Sequence, residues 1–251
     1  MTDSVERFSN RVANYVKYRP DYPQEIVPFL AENCGLTSQS VIADVGCGTG
    51  ISTKMFLENG NRVLGVEPNE AMRDAAIECL KEFPDFKPIN GTSTDTTLDD
   101  RSIDMVVAAQ AFHWFDAEPT RAEFERILKP DGYVVLIWNE RQIDATAFHA
   151  EYEAFLIRYA RDYEIVRHED LAADELARFY QHDYASLTFP NHQDFDFDGL
   201  KGRMLSASYM PNEQAAVFPE MISELQTIFA KHERNGRIRV LYDTNVYFSR
   251  L

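Results

Sequence analysis

From Val41 onward the chain alternates apolar runs with amphipathic stretches in a regular strand–helix rhythm. "SVIADV" is a short continuous apolar run and reads as a buried strand, while "STKMFLENG" carries helical spacing and ends at Gly60. "RVLGVE" repeats the strand, and "NEAMRDAAIECLKEF" repeats the helix with Asn69 placed to cap it. "FKPING" predicts a short third strand and "SIDMVVAAQ" a fourth. "PTRAEFERILKPDG" predicts a helix closed by a turn at Pro130–Gly132, and "YVVLIWN" a fifth strand. Such alternation implies a parallel sheet with right-handed crossovers.

The flanks have a different texture. Residues 1–37 read as two aromatic-rich helices separated by Pro20 and Pro23, with Val12, Tyr15, Val16 and Arg19 on roughly one face of the first. After Asn139, residues 141–182 are charged and helical in pattern. "YASLTFPNHQDFDF" reads as an extended strand, "GLKGRMLSASYMP" and "QAAVFPEMISELQTIFAKHERNG" as helices, and "RIRVLYDTNVYFSRL" as a final strand. The alternation in "DFDFDG" predicts a strand or turn with one buried face, with a substrate contact as the other reading. No repeat or long linker interrupts the chain, so residues 141–235 read as an insertion on one α/β core.

Gly46, Gly48 and Gly50 stand between the first strand and its helix. Glycines there let the backbone turn sharply and approach a ligand closely. A P-loop needs GxxxxGK[ST], but Ile51 and Ser52 follow Gly50 and Lys54 is out of place. The dinucleotide pattern GxGxxG, counted from Gly46, needs a glycine where Ile51 stands. Asp44 adds a physical objection: at the carboxyl end of the first strand it would repel a pyrophosphate. An ammonium and a sulfonium would be attracted there, and S-adenosylmethionine (SAM) carries both and no phosphate. Glu67 ends the second strand about twenty residues on, where an acid accepts hydrogen bonds from ribose hydroxyls.

Charge narrows the partners. The 251 residues include 25 basic and 41 acidic ones, a formal net charge of −16. That disfavours nucleic acid and anionic membrane surfaces, which are bound mainly through Lys and Arg. There is no apolar run of about eighteen residues to span a membrane. The opening "MTDSVERFSN" lacks the basic segment and apolar core of a secretory signal. Cys34, Cys47 and Cys79 form neither a CxxC pair nor a disulfide framework. A cytoplasmic protein is expected. His149, His168, His182, His192 and His232 show no HExxH or other close pair, so no metal is expected.

"DVGCGTG", "VEP", "SIDMVVAAQAFHWF" and "RILKPDGYVVLIWN" together resemble the class I SAM-dependent methyltransferases, and among them the type 11 group that includes trans-aconitate-type enzymes. The resemblance covers residues 8–139 and extends to "YRPDYP" and "LYDTNVYFSRL", more weakly across the insertion. It implies a doubly wound, Rossmann-like sheet of seven strands in the order 3-2-1-4-5-7-6, the last strand antiparallel. It implies one domain over residues 1–251, with a helical lid at 1–37 and a cap at 141–235. SAM is the implied cofactor, held by Asp44, Gly46, Cys47, Gly48, Gly50, Glu67 and Pro68. In this family the loop after the third strand holds adenine, often through an Asp. Here Thr92 stands in that place with Thr94 next, and an ordinary polar turn is the other reading.

By the same resemblance, Ala109 and Gln110 lie along the methionine part of SAM, and His113 and Trp114 between cofactor and substrate. His113 is a candidate general base, since an imidazole titrates near neutrality; a structural hydrogen bond is its other reading. Tyr18 and Arg19, with Tyr15, lie on a helix that covers SAM in related enzymes, Arg19 pairing with the methionine carboxylate. The expected reaction is methyl transfer to a small-molecule acceptor, carboxylates included, by in-line displacement. An anionic acceptor in so acidic a protein needs a local positive site, for which Arg141, Arg203 and Tyr209 are the candidates. An RNA or protein methyltransferase, a nucleotide-dependent oxidoreductase and an inactive SAM-binding module stay open as alternatives.

Overall fold

The computed structural model describes residues 12–160, 173–207 and 209–251. It opens with helices α1 (Val12–Tyr18) and α2 (Ile26–Cys34). The alternating series follows: β1 (Val41–Val45), α3 (Ile51–Glu58), β2 (Arg62–Val66), α4 (Glu70–Cys79), β3 (Phe86–Ile89) and β4 (Ile103–Ala109). A 3-10 turn at Phe112–Trp114 leads to α5 (Ala117–Ile127) and β5 (Leu128–Arg141). Then come α6 (Ala147–Tyr159), α7 (Ala173–Tyr180), β6 (Ala185–Phe195), α8 (Phe197–Leu205), α9 (Phe218–His232) and β7 (Ile238–Arg250). The strands form one sheet in the order β3-β2-β1-β4-β5-β7-β6, parallel from β3 through β5 and antiparallel in its last strands. This is the sheet that the sequence resemblance implies.

The chain divides into two compact units. An α/β unit holds residues 21–139, 173–189 and 244–251; a helix-rich unit holds residues 12–20, 140–160 and 190–243. Each segment assigned above as lid or cap is therefore split. Residues 12–20 belong to the helix-rich unit and 21–37 to the α/β unit, as do 173–189 of the cap. Residues 1–11 and 161–172 of those segments lie outside the described residues, as does Ser208.

In the α/β unit the two-residue period of the strands sorts side chains onto two faces. Ala43, Val45, Val106, Ala108, Val134 and Leu136 join a cluster completed by Phe124 and Ile127 of α5 and by Phe179 and Tyr180 of α7. Ile42, Val107, Val135 and Ile137 join another, completed by Ile26 and Leu30 of α2 and by Met55 and Phe56 of α3. Coverage of both faces is why these strands read as unbroken apolar runs rather than alternating ones. The helix-rich unit has its own core, with Phe155 and Leu156 of α6, Leu200 and Met204 of α8, Leu225 and Ile228 of α9, and Tyr242 of β7. Helix α1 packs there, and Gly202 makes room for it: a Cβ at that position would overlap the Tyr18 ring.

One local expectation changes and another is filled in. The sequence predicts a turn at Pro130–Gly132 that closes α5. Instead β5 begins at Leu128, which pairs with Ile103, and a bulge follows before Tyr133 pairs with Met105. Lys129 Nζ, 2.8 and 2.9 Å from the Asp104 carboxylate oxygens, anchors the bulge to β4. The run "DFDFDG" is the end of β6 followed by a helix cap. Phe195 is buried, and the Asp196 side chain accepts the Gly199 N–H at 2.8 Å at the start of α8.

Candidate functional site

Ligands of open α/β sheets bind at the carboxyl ends of the strands, and the turn after β1 is the densest cluster of polar constraints there. Asp44 is fully buried. Its Oδ2 accepts from Ser52 Oγ at 2.7 Å and from Thr53 Oγ1 at 2.6 Å, both in the first turn of α3. Among the described residues its Oδ1 has no hydrogen-bond partner. Burial pushes the Asp44 carboxyl up to about 6, against the two hydroxyl hydrogen bonds that pull it down. Sequence reasoning missed Ser52 and Thr53 as partners. Their signal was a pair of hydroxyls one turn into the helix that follows a buried acid.

The glycine turn links Asp44 to Glu67. The N–H groups of Gly46 and Cys47 both donate to the Val66 carbonyl, at 2.8 and 3.2 Å. The Gly48 N–H donates to Glu67 Oε2 at 3.0 Å, and the Asn69 N–H to Glu67 Oε1 at 2.9 Å. Both Glu67 oxygens are thus pinned by main chain, and each keeps lone-pair capacity for a further donor. Burial pushes the Glu67 carboxyl up, and these N–H groups oppose it. Arg73 Nη1 donates to the carbonyls of Glu67 at 2.8 Å and of exposed Pro68 at 3.3 Å. Cys47 is buried, and burial pushes its thiol well up, so it is no nucleophile.

Gly48 and Gly50 do different work. Gly48 has φ 56°, and a Cβ there would meet nothing within 4 Å, so it borders open space. Gly50 has φ 87°, and a Cβ there would lie 2.6 Å from Leu80 Cδ1, so it lets α3 pack close to the end of α4. A free oxygen on buried Asp44, an acceptor carboxylate at Glu67 and clear space at Gly48 together suit a ligand with a cationic group and adjacent hydroxyls.

The other candidates of this unit vary in availability. Thr92 Oγ1 accepts the Asp95 N–H at 3.1 Å and lies 3.3 Å from the Thr94 hydroxyl, so the pair closes a turn of its own. Ala109 ends β4, almost buried. Gln110 takes a left-handed φ of 53°, and its Oε1 accepts the Asn139 N–H at 2.6 Å, which ties the end of β4 to β5. His113, half-buried, packs between Trp114 at 4.5 Å and the edge of Trp138 at 5.0 Å. Trp114 is exposed.

Residues 43–136 match the family model described as a methyltransferase domain. A methyltransferase-like protein of Schizosaccharomyces pombe is 27% identical over 98% of this chain and 95% of its own length. A methyltransferase of Mycobacterium tuberculosis is 35% identical over 53% of this chain and 52% of its own. Over residues 43–136 the chain is similar to the class I SAM-dependent methyltransferases. Solved structures agree on the fold. A protein described as a type II methyltransferase from Anaeromyxobacter dehalogenans superposes with a TM-score of 0.68 at 21% identity, over 93% of this chain and 98% of that one. The geranyl diphosphate C-methyltransferase of Streptomyces coelicolor, solved with S-adenosyl-L-homocysteine, gives 0.50 at 15%, over 90% and 77%.

In the helix-rich unit, Arg141, Arg203 and Tyr209 line one tight cavity of about 10 Å³, the room of about one water molecule, together with Tyr152 and Tyr242. Arg141 forms a largely buried ion pair with Glu153 and lies 5.4 Å from the Tyr152 ring centre. Arg203 Nε donates to Tyr242 Oη at 3.2 Å, and Tyr242 Oη donates to Gln193 Oε1 at 3.0 Å. Arg19 Nη2 donates to the Ser206 carbonyl at 3.3 Å, with its guanidinium 4.9 Å from the Tyr15 ring centre. The Tyr18 carbonyl accepts from Gln193 Nε2 at 3.2 Å. Glu153, Gln193 and Tyr242 were not legible as site residues, because nothing local marks residues so far apart in sequence. Among the described residues no group of three or more His, Cys, Asp or Glu is placed to hold a metal, and no helix is long and apolar enough to cross a membrane. His149 is structural: its Nε2 accepts the Leu241 N–H at 3.0 Å, and its Nδ1 meets Thr146 Oγ1 at 2.8 Å.

Proposed function

We propose that this enzyme transfers a methyl group from SAM to a small-molecule acceptor that carries a carboxylate, and that it works in the cytoplasm. The observation that carries the acceptor class is the arginine- and tyrosine-lined cavity in a protein of net charge −16. Bound SAM supplies a methyl group on a sulfonium, already a good leaving group. The chain's own task is then to bind, align and exclude water. Asp44 Oδ1 accepts from the ligand's ammonium, and Glu67 accepts from its ribose hydroxyls. Gly46, Cys47, Gly48, Gly50 and Pro68 shape the turn beside them, Thr92 and Thr94 border the base, and Ala109 and Gln110 border the methionine chain. Trp114 borders the acceptor, and Arg141, Arg203 and Tyr209 hold its charge. A carboxylate needs no base; for a hydroxyl acceptor His113 takes the proton. Residues 1–37 act as lid and 141–235 as cap of one domain.

Turnover of labelled SAM against a panel of carboxylate, hydroxyl and amine metabolites tests the reading; labelling confined to uncharged amines would overturn the acceptor class. For the cofactor, Glu67→Ala weakens SAM by roughly 2–4 kcal/mol, since hydrogen bonds to a charged acceptor are worth about 1.5–3 kcal/mol each. Calorimetry in which the variant binds SAM as the wild type does removes Glu67 from the site.

A further inference from the structure

A chain with 41 acidic and 25 basic residues has acids enough to pair its cations, yet one cleft of the helix-rich unit collects arginines. It measures about 590 Å³, and Arg234, Arg237 and Arg239 line it against one carboxylate, that of Asp194. Arg239 is neutralised by that acid, Nε to Oδ1 at 2.8 Å and Nη2 to Oδ2 at 2.7 Å. Arg237 Nη2 donates to the Asp194 carbonyl at 3.2 Å. Among the described residues neither Arg237 nor Arg234 forms an ion pair. The two stand opposite each other, the N–H of each donating to the carbonyl of the other at 2.8 and 3.1 Å. Between them Asn235 and Gly236 make a tight turn with φ of 54° and 74°. Like charges directly opposite on paired strands are destabilising. The turn itself needs only Asn-Gly, so folding gives no reason for an arginine on each side of it.

We propose that this cleft binds a small organic anion, a doubly charged oxyanion on an apolar body, with Arg234 and Arg237 holding the charged end. Planar guanidiniums match phosphate or carboxylate oxygens two at a time. The start of α6 adds to the same field, since Thr146, Ala147 and Phe148 line the cleft and the first turn of that helix carries no acid. A helix N-terminus favours an anion through its dipole and through N–H groups that have no acceptor within the helix. Phe148 and Ile238, both buried, give the cleft an apolar wall for the body of the ligand. Its volume falls within the roughly 300–1,000 Å³ usual for small-molecule sites. The ion pair of Arg239 with Asp194 and the bond from Arg237 to the Asp194 carbonyl hold the rim in place before a ligand arrives. His232, also on the rim, is held by Glu151, Nε2 to Oε2 at 2.6 Å. An acidic macromolecule would meet the summed field of a chain of net charge −16, whereas a small anion inside the cleft meets mainly the nearby arginines. The cleft shares no residue with the cavity of Arg141, Arg203 and Tyr209, and the proposal does not rest on the function proposed above.

The test uses the full-length protein without SAM, titrated by calorimetry in potassium chloride at constant ionic strength. The probes are phenyl phosphate, phenylsuccinate, inorganic phosphate and phenol. Phenyl phosphate or phenylsuccinate is expected to bind with a Kd below millimolar, inorganic phosphate at least fivefold more weakly, and phenol not measurably. Preference between the first two assigns the charged end as a phosphate or a dicarboxylate. Arg234→Gln and Arg237→Gln are each expected to weaken the preferred anion at least fivefold, with Arg158→Gln, an exposed arginine paired with Glu224, as the unaffected control. Removing one of two facing cations leaves the ligand-free Tm unchanged or higher, whereas arginines kept for stability alone would lower it. Ala147→Asp puts an acid at an exposed first helical position, which the helix dipole favours, so the fold is retained. That variant is expected to lose at least tenfold in anion affinity. Phenyl phosphate and phenylsuccinate binding no more tightly than phenol, or inorganic phosphate binding as tightly as phenyl phosphate, overturns the proposal. So does full affinity in both Arg234→Gln and Arg237→Gln, or preference for a polyglutamate peptide over both small anions.

Discussion

Asp44 shows how much one buried atom can say. Its folded-state value of about 6 lies above the ordinary carboxyl value of 3.8, so the native state holds a proton that the unfolded chain has released. The sign follows: this group's contribution to stability is full below about pH 4 and is lost as pH rises through about 6, by up to about 3 kcal/mol. The Tm difference between wild type and Asp44→Asn is therefore expected to shift in favour of the variant across that window. On the function proposed above, SAM binding runs the other way, because its ammonium would need the ionised carboxylate. Its Kd is expected to rise as pH falls below about 6 in the wild type and to stay flat in Asp44→Asn; a wild-type Kd that is also flat would detach Asp44 from the ligand. The glycines offer a paired test. Gly50→Ala adds an overlap with Leu80 to left-handed strain and is expected to lower stability by more than 2 kcal/mol, whereas Gly48→Ala adds strain alone, about 1–2 kcal/mol. Gly48→Ala is nonetheless expected to harm SAM affinity, since its new methyl group points into open space. Thermal unfolding and SAM titration of both variants decide.

At the scale of elements, local chemistry and long-range pairing share control. Asn69 caps α4 by accepting the Met72 N–H at 3.2 Å, while its own backbone N–H holds Glu67. Asn69→Ala is expected to cost about 1 kcal/mol, or 2–4 °C in Tm for a chain of this size. SAM affinity should stay near wild type because the backbone bond to Glu67 remains. A large loss of affinity would show that the side chain, not the main chain, positions the carboxylate. The bulge at the start of β5 shows the opposite control. "KPDG" has the composition of a turn, and in isolation it would be one. Pairing of Leu128 with Ile103 outweighs that preference and begins the strand five residues earlier, at Leu128 rather than Tyr133.

For the whole molecule, the division of the chain makes truncation informative. Deleting residues 1–20 is expected to leave the α/β core folded, because Tyr22, Ile26 and Leu30, which pack in it, all remain. The helix-rich unit loses Tyr18 from its contact with Gly202 and loses Arg19. Turnover is expected to vanish while the far-ultraviolet circular dichroism changes little. Full activity in the truncated protein would refute a role for this segment in closing the site. The net charge of −16 belongs to the same scale, since it acts on partners through the summed field rather than through one contact.

The β-strands, their parallel arrangement, the glycine turn, Asp44, Glu67 and the Asn69 cap were legible in the sequence, because each rests on periodicity, backbone conformation or polar residues close together along the chain. The partners of Asp44 were half legible, as hydroxyls without an assignment. The cavity was not: Arg203 and Tyr209 were singled out for their charge and place, but Tyr152, Gln193, Tyr242 and the pairing of Arg141 with Glu153 come from separate segments. That Arg141 is neutralised by Glu153 depends on packing between a strand and a helix that no local pattern relates. A linear pattern carries the propensity of each segment but not the distances between them, and those distances decide where charge is left unmatched.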